Sequence, residues 1–384
     1  MKNKGKIIRV TTVPRSLGGL LQGQLKFMSQ HYDVIGVSSR EENILERVAR
    51  QEEIKVIPVE MTRKITPIKD LKAVYQLYKV FKKEKPDIVH SHTPKAGTLS
   101  MLAAKIAGVP HRLHTIAGLP LLEASGAKRT LLDTVEKITY ACATMIYPNS
   151  YGLNDIILEN KYTGAKKLKV IANGSSNGID TSHFDPSLYS EQDNLRLRDE
   201  LKIDKNDFVF VFVGRFVKDK GINELITAFK KLNGEYKNAK LLLVGTYERE
   251  LDPLLPETEA EIDDNPNIIS VGWQNDVRPF FAISDALAFP SYREGFPNVV
   301  MQAGSMGLPC IVTDINGCNE IVSEGISGTI IPVKSSEALY EAMNKVISDK
   351  EYCHQISLKS REMICEKYER KHVWNAILEE YRQL

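Results

Sequence analysis

The sequence predicts an α/β protein built from two doubly wound domains of similar size. Short, nearly continuous apolar runs alternate with amphipathic stretches at helical spacing, a pattern typical of parallel strands covered by helices on both faces. The chain has 384 residues, enough for about two domains. Near its middle, a segment rich in Asn, Gly and Ser interrupts the alternation at residues 173–180, and a polar stretch follows.

We place the domain boundary at this interruption, with a first domain over residues 1–185, a second over 186–367 and a final helix over 368–384. Ligands of doubly wound sheets bind beyond the carboxyl ends of the strands, so a cleft between two such domains is the expected active site.

The apolar runs predict the strands of both domains. In the first domain they are Ile7–Val13, Asp33–Ser38, Ile54–Val59, Asp87–His90, His111–Thr115, Thr144–Pro148 and Lys169–Ala172. In the second domain they are Phe208–Val213, Lys240–Val244, Ile268–Val271, Ala286–Phe289, Pro309–Thr313 and Thr329–Pro332.

Composition and missing motifs exclude several functional classes. The apolar runs are far shorter than the ~20 residues of a transmembrane helix, and the basic start Met1–Lys6 leads only into the first strand, which argues against a signal peptide. The five cysteines form no CxxC pair, so a reduced cytoplasmic protein without a zinc site is expected. The dinucleotide-binding fingerprint GxGxxG is absent, and Gln24 stands where a P-loop needs lysine. The sequence also has no Asp-x-Asp, the motif with which some sugar-nucleotide enzymes bind a metal ion that holds the diphosphate. The net charge of +2 gives no indication of a nucleic-acid partner.

The charge is divided unequally between the two halves. Residues 1–190 contain 28 Lys and Arg against 17 Asp and Glu, a net +11, whereas residues 191–384 have a net charge of −9. The helix predicted over 66–85 carries Leu71, Leu77 and Phe81 at helical spacing among many lysines. Two interpretations stay open: a docked helix with a solvated basic face, or a membrane-surface helix attracted to anionic lipid.

The first loop that carries candidate functional residues follows a strand of the second domain. The strand ends at Gly214, the loop carries Arg215 and Lys220, and a helix is predicted to start near Gly221. Arginine offers a planar fork, lysine a point charge and a helix start free N–H groups, a combination that suits a diphosphate. Two surface cations at a strand exit are also common, so this loop alone does not decide the function.

A second loop of the same kind follows the strand predicted over 286–289. Glu294 lies in it, where a carboxylate can accept hydrogen bonds from sugar hydroxyls or stabilise the start of the next helix. The residues that continue this loop and open the helix are Gly295, Phe296, Pro297, Asn298 and, about one turn further, Gln302.

Together these segments resemble the retaining glycosyltransferases of family 4, which have the GT-B fold of two Rossmann-like domains facing a central cleft. The resemblance covers the whole chain. It implies that Arg215 and Lys220 bind the donor diphosphate, that Glu294 contacts the donor sugar near its 3-hydroxyl, and that the final helix crosses back onto the first domain. The motifs that carry it are Gly214-Arg215-Phe216 with Lys220-Gly221, Glu294-Gly295-Phe296-Pro297-Asn298, and Asn173-Gly174 with Gly178-Ile179-Asp180.

One position departs from the family pattern. The second acid of the family's E-x7-E motif usually binds the ribose hydroxyls, and Gln302 occupies that position here. An amide can still hydrogen-bond a ribose, but it carries no charge. A displacement that needs two carboxylates, as in retaining glycosidases, is therefore not expected.

The first half resembles the bacterial branch that builds capsular, exopolysaccharide or related glycans on a polyprenyl-diphosphate carrier. The segments concerned are residues 93–97 and 114–120. His114 matches a family histidine that reaches the donor sugar, although a lone histidine after a strand is often only structural. Other residues have both a functional and a structural interpretation. They are Gly18 and Gly19 at the first strand-to-helix turn, Lys95 in the cleft, Trp273 near the base, the histidine pair His90 and His92, and the apolar stretch over 119–122.

The sequence therefore predicts a metal-independent hexosyl- or N-acetylhexosaminyltransferase that needs no cofactor besides its nucleotide-sugar donor. A UDP-sugar is the expected donor and a polyprenyl-diphosphate-linked glycan the expected acceptor. The expected location is the cytoplasm, in peripheral contact with the inner face of the bacterial membrane. Two alternatives stay open: a sugar-nucleotide epimerase of the same fold, and a non-catalytic scaffold of the assembly complex, which only Gln302 favours.

Overall fold

The computed structural model describes residues 4–119, 121, 124–250 and 252–384. The chain forms two compact units. The first contains residues 1–178 together with 371–384, and the second contains residues 179–370. The chain thus passes from one unit to the other after Gly178, within the turn-rich segment, rather than at residue 185.

The first unit has a six-stranded parallel sheet with the order β3-β2-β1-β4-β5-β6. Its strands are β1 Lys6–Val10, β2 Asp33–Ser38, β3 Lys55–Pro58, β4 Ile88–His92, β5 His111–Ile116 and β6 Met145–Pro148. Its helices are α1 Pro14–Leu20, α2 Gln24–Ser29, α3 Ile44–Glu52, α4 Pro67–Glu84, α5 Pro94–Ala107, α6 Gly126–Cys142 and α7 Tyr151–Glu159.

The second unit repeats this topology with the order β12-β11-β10-β7-β8-β9. Its strands are β7 Phe208–Val213, β8 Ala239–Val244, β9 Ile268–Ser270, β10 Ala286–Phe289, β11 Cys310–Thr313 and β12 Gly328–Ile331. Its α-helices are α8 Glu191–Glu200, α9 Ile222–Glu235, α10 Pro256–Asp264, α11 Arg278–Ala282, α12 Asn298–Ser305, α13 Cys318–Ile321, α14 Ser336–Ser348 and α15 Lys350–Tyr368. The last helix of the chain, α16 Arg370–Arg382, begins at the end of the second unit and lies in the first from residue 371. Two doubly wound parallel sheets confirm the predicted fold class.

The strands are apolar on both faces because helices cover each sheet on both sides. In β1, Ile7 packs into a core formed with α1, α2, α3 and α16, whereas Ile8 packs into the opposite core formed with α4, α5 and α6. The second unit has one continuous core, in which the rings of Phe212 and Phe289 stack with centroids 6.0 Å apart. Helix α16 therefore belongs by its packing to the first unit, although the chain reaches it from the second.

The strand predicted over Lys169–Ala172 is wrong. Leu168 forms a single parallel bridge with Ile146 of β6, and the Lys169 N–H donates to the Ile146 carbonyl at 3.1 Å. The backbone then turns, because Ala172 adopts a left-handed conformation with φ of 51°. An apolar run long enough for a strand is thus ended by local backbone geometry, and β6 remains the edge of the sheet.

Within the described residues, no helix has both the length and the apolar character required to cross a membrane.

Candidate active site

The two loops predicted to carry chemistry meet at the topological switch point of the second sheet. Strand β7 pairs with β10, and the chain leaves their carboxyl ends toward helices on opposite faces of the sheet. Doubly wound sheets bind ligands at this crevice. The sheet order therefore explains why Arg215 and Lys220, after β7, lie near Glu294, after β10.

Close backbone packing holds the two loops together. Gly221 caps the start of α9 with φ of 70°, a left-handed conformation that favours glycine. A Cβ at this position would lie 2.1 Å from the carbonyl oxygen of Pro290 in the other loop. The contact thus fixes where Lys220 stands relative to Glu294.

Lys220 and Glu294 form a partly buried ion pair between Nζ and Oε1. Each side chain is only 16% exposed, and the ammonium lies 5.7 Å from the ring centroid of Phe289. The Ser291 hydroxyl donates to the same Oε1 atom at 2.9 Å. Both contacts use one carboxylate oxygen, which leaves the acceptor capacity of Oε2 for a ligand.

The Glu294 loop is also fixed from a third strand exit that sequence reasoning missed. Asn316, after β11, donates from Nδ2 to the carbonyl oxygens of Glu294 at 2.5 Å and Gly295 at 3.3 Å. Gly317 has φ of 78°, and a Cβ there would lie 2.4 Å from the Gly295 oxygen. The dipeptide Asn316-Gly317 after a predicted strand was the available signal for a tight turn at this edge.

The remaining residues of this loop have structural surroundings that explain their type. The Phe296 side chain is buried, and its ring packs edge-on against the ring of Tyr368 with the two centroids 5.4 Å apart. Pro297 precedes the first residue of α12, Asn298, in extended conformation. Gln302 lies one turn into α12 and is half-buried, and within the described part of the chain its side chain makes no hydrogen bond.

Arg215 lies in the same loop after β7 as Lys220, and Trp273 follows β9 at the same sheet edge. Arg215 is half-exposed and its Nη1 donates to Glu248 Oε2 at 2.7 Å. Gly214 and Gly245 pack closely, since a Cβ on Gly245 would lie 1.8 Å from the Gly214 oxygen. Trp273 is 66% exposed. The alternative that Trp273 is a core residue is therefore wrong.

His114 lies in the first unit, inside β5 and not after it. The ring is buried, Nδ1 lies 2.9 Å from the Ser91 hydroxyl, and burial lowers the pKa of the imidazole to about 4. A Cβ on Gly97 would lie 2.3 Å from Cε1 of His114, so the ring fills the space that this glycine leaves on α5. His114 is thus neutral at pH 7 and rigidly held.

The other first-unit candidates are also placed by the structure. Gly18 and Gly19 lie within α1 and not in a turn before it. A Cβ on Gly18 would lie 2.7 Å from Val48 of α3, whereas Gly19 faces open space. Lys95 starts α5 and pairs with Asp70 Oδ2 at 2.5 Å. Of the apolar stretch over 119–122, Pro120 and Leu122 lie outside the described residues.

The histidine pair is a buried core feature. The rings of His90 and His92 stack with centroids 4.4 Å apart, and His92 Nε2 lies 2.8 Å from Nη2 of the buried Arg9. Burial and the neighbouring cation lower the pKa of both histidines well below the usual value. In the parts of the chain that the structure covers, no group of three or more His, Cys, Asp or Glu side chains is arranged to hold a metal ion.

The fold and the switch-point loops define a GT-B glycosyltransferase. The model for glycosyl transferases group 1 matches residues 193–363, and the model for glycosyl transferase 4-like proteins matches residues 21–150. The chain is 34% identical over 387 aligned positions to the capsular polysaccharide biosynthesis glycosyltransferase CapM of Staphylococcus aureus, covering 98% of this chain and 96% of CapM. The chain belongs to glycosyltransferase family 4.

Two further proteins extend the comparison. The chain is 31% identical to the UDP-Gal:alpha-D-GlcNAc-diphosphoundecaprenol alpha-1,3-galactosyltransferase of Escherichia coli, over 76% of this chain and 74% of that enzyme. The crystal structure of Anabaena Alr3699/HepE in complex with UDP superposes with a TM-score of 0.82 at 19% identity, covering 99% of this chain and all of that one. This structural likeness shows the fold.

We expect Gly221→Ala to reduce the free energy of unfolding by at least about 2 kcal/mol, because alanine disfavours the left-handed conformation and its methyl group collides with the Pro290 backbone. Urea denaturation of the full chain, followed by circular dichroism, measures this loss. The control is Gly234→Ala on the same helix, where the new methyl group meets open space. It should stabilise α9 by about 0.5–1 kcal/mol. An unchanged stability of Gly221→Ala would contradict the close packing of the two loops.

Proposed function

We propose that the protein is a retaining, metal-independent glycosyltransferase that moves a hexose or N-acetylhexosamine from a UDP-sugar to a polyprenyl-diphosphate-linked glycan. The observation that carries the proposal is the Lys220–Glu294 pair at the switch point of the second sheet. It combines a cation suited to a diphosphate with a carboxylate suited to sugar hydroxyls, within one hydrogen-bonded cluster.

The donor diphosphate takes two cations in this proposal. Lys220 is held by the loop contacts as a point charge, and Arg215 offers a guanidinium fork from the beginning of the same loop. Before the donor binds, Glu294 and Glu248 neutralise these cations. A diphosphate brings its own negative charge, so the cations can then serve the ligand without a bound metal.

The reaction forms and breaks one bond at the anomeric carbon. An acceptor hydroxyl oxygen attacks this carbon on the face from which the diphosphate departs, and the bond to the phosphate oxygen breaks. The hydroxyl proton passes to the departing phosphate. Lys220 and Arg215 stabilise the charge that develops on that phosphate, where such fixed charges have their largest effect on the rate. Front-face attack retains the anomeric configuration.

The other second-unit residues orient the donor. Glu294 accepts a sugar hydroxyl through Oε2, and the N–H groups around Gly295, Phe296 and Asn298 face the donor at the start of α12. Pro297 fixes the backbone before this helix, and Phe296 anchors the loop through its buried ring. The amide of Gln302 hydrogen-bonds the ribose.

Two further positions of this sheet edge are expected to contact the donor, one at its base and one at its diphosphate. The exposed Trp273 indole stands beside the base, and Gly214 lets the backbone approach the diphosphate. An exposed indole offers an apolar face of the kind that nucleobases stack on.

The first unit supplies the acceptor side and additional sugar contacts. A neutral, rigid His114 can donate or accept one hydrogen bond to the donor sugar without bringing charge. Gly19 leaves a position of α1 that faces open space without a side chain, which suits close approach of phosphate or acceptor, and the neighbouring Gly18 lets α1 pack closely against Val48 of α3. The Escherichia coli relative is a galactosyltransferase with a UDP-Gal donor and an alpha-D-GlcNAc-diphosphoundecaprenol acceptor, which supports the same substrate classes for this chain.

A surface on α4 supports peripheral contact with the inner face of the cytoplasmic membrane. One stripe of this helix packs into the core through Ala73, Leu77 and Phe81. The opposite stripe leaves Ile68 86% and Leu71 70% exposed. Exposed apolar side chains are costly in water and typical of interfacial helices. The exposed residues that define this α4 membrane surface are Ile68, Leu71, Lys72, Tyr75, Lys79 and Lys82.

We expect transfer of one sugar onto a prenyl-diphosphate–HexNAc acceptor in the presence of EDTA, measured by mass spectrometry with a panel of UDP-hexoses and UDP-N-acetylhexosamines. Lys220→Ala should lower kcat/KM by about 10²–10³-fold, because it removes a fixed charge at the departing phosphate. Lys218→Ala is the matched control, since Lys218 is an exposed lysine of the same loop.

Three results would contradict this function. Activity lost in EDTA and restored by Mg²⁺ would exclude metal independence. Isomerised donor with untouched acceptor would identify an epimerase. Tight UDP binding without turnover of any donor in the panel would favour a scaffold.

We expect binding to anionic phosphatidylglycerol vesicles, measured by co-sedimentation of the full chain at low salt. Lys72→Glu with Lys79→Glu should weaken this binding at least about 30-fold, since each basic residue near an anionic surface contributes about 1 kcal/mol. The matched control is Lys202→Glu with Lys205→Glu, which reverses the charge of two exposed lysines of the second unit. Equal loss in both double variants, or equal binding to neutral phosphatidylcholine vesicles, would contradict a specific α4 membrane surface.

A further inference from the structure

An apolar groove lies between α4, α5 and α6 of the first unit. Its cavity has a volume of about 240 Å³, roughly that of eight water molecules. Its apolar wall is formed by side chains of α5, of α6 and of the segment before α6, namely Leu99, Leu121, Leu131, Leu132 and Val135. We refer to it as the α4–α6 groove.

Two cations, Arg63 and Lys95, line the α4–α6 groove beside its apolar wall. Arg63 is exposed, and among the described residues it forms no ion pair, whereas Lys95 is mostly buried and pairs with Asp70. An amphipathic ligand with an anionic head and an apolar chain would match these cations and this wall respectively.

A buried acid in the groove wall is compatible with an apolar occupant. Glu136 is 9% exposed and lines the cavity, and its Oε2 atom has no hydrogen-bond partner in the described part of the chain. Burial raises the pKa of this carboxyl to about 7. The wall therefore carries much less negative charge at neutral pH than an ordinary glutamate would give it.

The groove is continuous with exposed apolar residues next to the α4 membrane surface. Ile65 lines the groove, is exposed, and lies three residues before Ile68 of that surface, in the segment that precedes α4. Leu131 of α6 lines the groove from the other side and is also exposed. A chain that leaves the groove past these two residues thus enters an apolar surface rather than a polar one.

We propose that the α4–α6 groove binds the diphosphate and the adjoining isoprene units of the lipid-linked acceptor, with Arg63 and Lys95 on the diphosphate and the leucines of α5 and α6 on the isoprenoid. This inference rests on the proposed function, because it assigns a subsite to the acceptor proposed there. When the acceptor diphosphate binds, Lys95 exchanges its ion pair with Asp70 for one with the diphosphate, as Lys220 does with Glu294 when the donor binds.

The test measures binding without transfer, so that it stands apart from the proposed activity. Farnesyl diphosphate is titrated calorimetrically into the full chain in the presence of saturating UDP, which occupies the proposed donor site. Leu131→Trp narrows the groove from its rim, and Arg63→Ala removes the free cation. Each should weaken farnesyl diphosphate binding at least about tenfold.

The matched control is Ile138→Trp, an equally exposed apolar position on α6 that does not line the groove. It should leave farnesyl diphosphate affinity within about twofold of wild type. Circular dichroism confirms that the variants are folded, and both altered groove residues are exposed in the native chain, so a folding defect is separable from a binding defect.

Three outcomes would overturn the proposal. Unchanged affinity in Leu131→Trp and Arg63→Ala would exclude this groove. Equal affinity for inorganic pyrophosphate and farnesyl diphosphate would exclude an isoprenoid subsite. Equal competition by dihexanoyl-phosphatidylglycerol would assign the groove to membrane phospholipid.

A transfer assay with wild type and Leu131→Trp separates the subsite from the activity. The kcat/KM for a prenyl-diphosphate-linked acceptor should fall at least about tenfold, whereas that for the methyl glycoside of the same sugar should not change. Transfer by wild type with equal loss on both acceptors would contradict the groove and leave the proposed function intact. The wild type could also fail to transfer sugar while both groove variants lose farnesyl diphosphate binding. This result would contradict the proposed function and still support the groove as a binding site for a prenyl diphosphate.

Discussion

The ion pair between Lys220 and Glu294 is the interaction on which the site in the second unit depends. A partly buried ammonium needs a partner, because removing one member of such a pair leaves an uncompensated charge in a poorly solvated place. Ser291 and Asn316 fix the carboxylate side, and the contact of Gly221 with Pro290 fixes the lysine side. The site is therefore prepared before any ligand is bound, and a diphosphate can replace one negative partner of the lysine with another.

The two units present different chemistry to solvent. The second unit carries its cations and its carboxylate at one strand edge, in a loop cluster braced by three strand exits. The first unit carries buried, neutral histidines in its sheet, and an exposed apolar and basic helix outside it. This division matches a reaction between a soluble anionic donor and an acceptor that combines a diphosphate with an apolar chain.

The sequence predicted the sheets well because buried parallel strands are apolar on both faces and their runs are easily recognised. Arg215, Lys220 and Glu294 were singled out because each follows a predicted strand, and the family resemblance assigned them to one ligand. The structure brings Lys220 and Glu294 together because β7 pairs with β10, which the apolar pattern alone does not specify. The predictions that failed depended on local geometry that apolar runs do not encode. Ala172 ends a strand-like run by a left-handed turn, and Gly18 and Gly19 lie in a helix that begins earlier than the turn expected there.

Contacts between distant segments were beyond the sequence for a different reason. Three such contacts join residues that lie far apart in the chain and share no periodic pattern. They are the ion pair of Arg215 with Glu248, the hydrogen bond from Asn316 to the Glu294 carbonyl, and the packing of His114 against Gly97. The α4–α6 groove is likewise formed by side chains of three helices, each of which has an ordinary amphipathic pattern. Family resemblance proposed single residues for the site, but it did not indicate the side chains that hold them.

Calorimetric titration of UDP, UMP and uridine into the full chain in EDTA tests the central claim most directly. If Lys220 and Arg215 bind the diphosphate without a metal, UDP should bind at least about tenfold more tightly than UMP, as one charge-assisted contact to the second phosphate requires. Lys220→Met should remove most of that difference. Equal affinities of UDP and UMP in EDTA, or a difference that appears only when Mg²⁺ is added, would contradict the account.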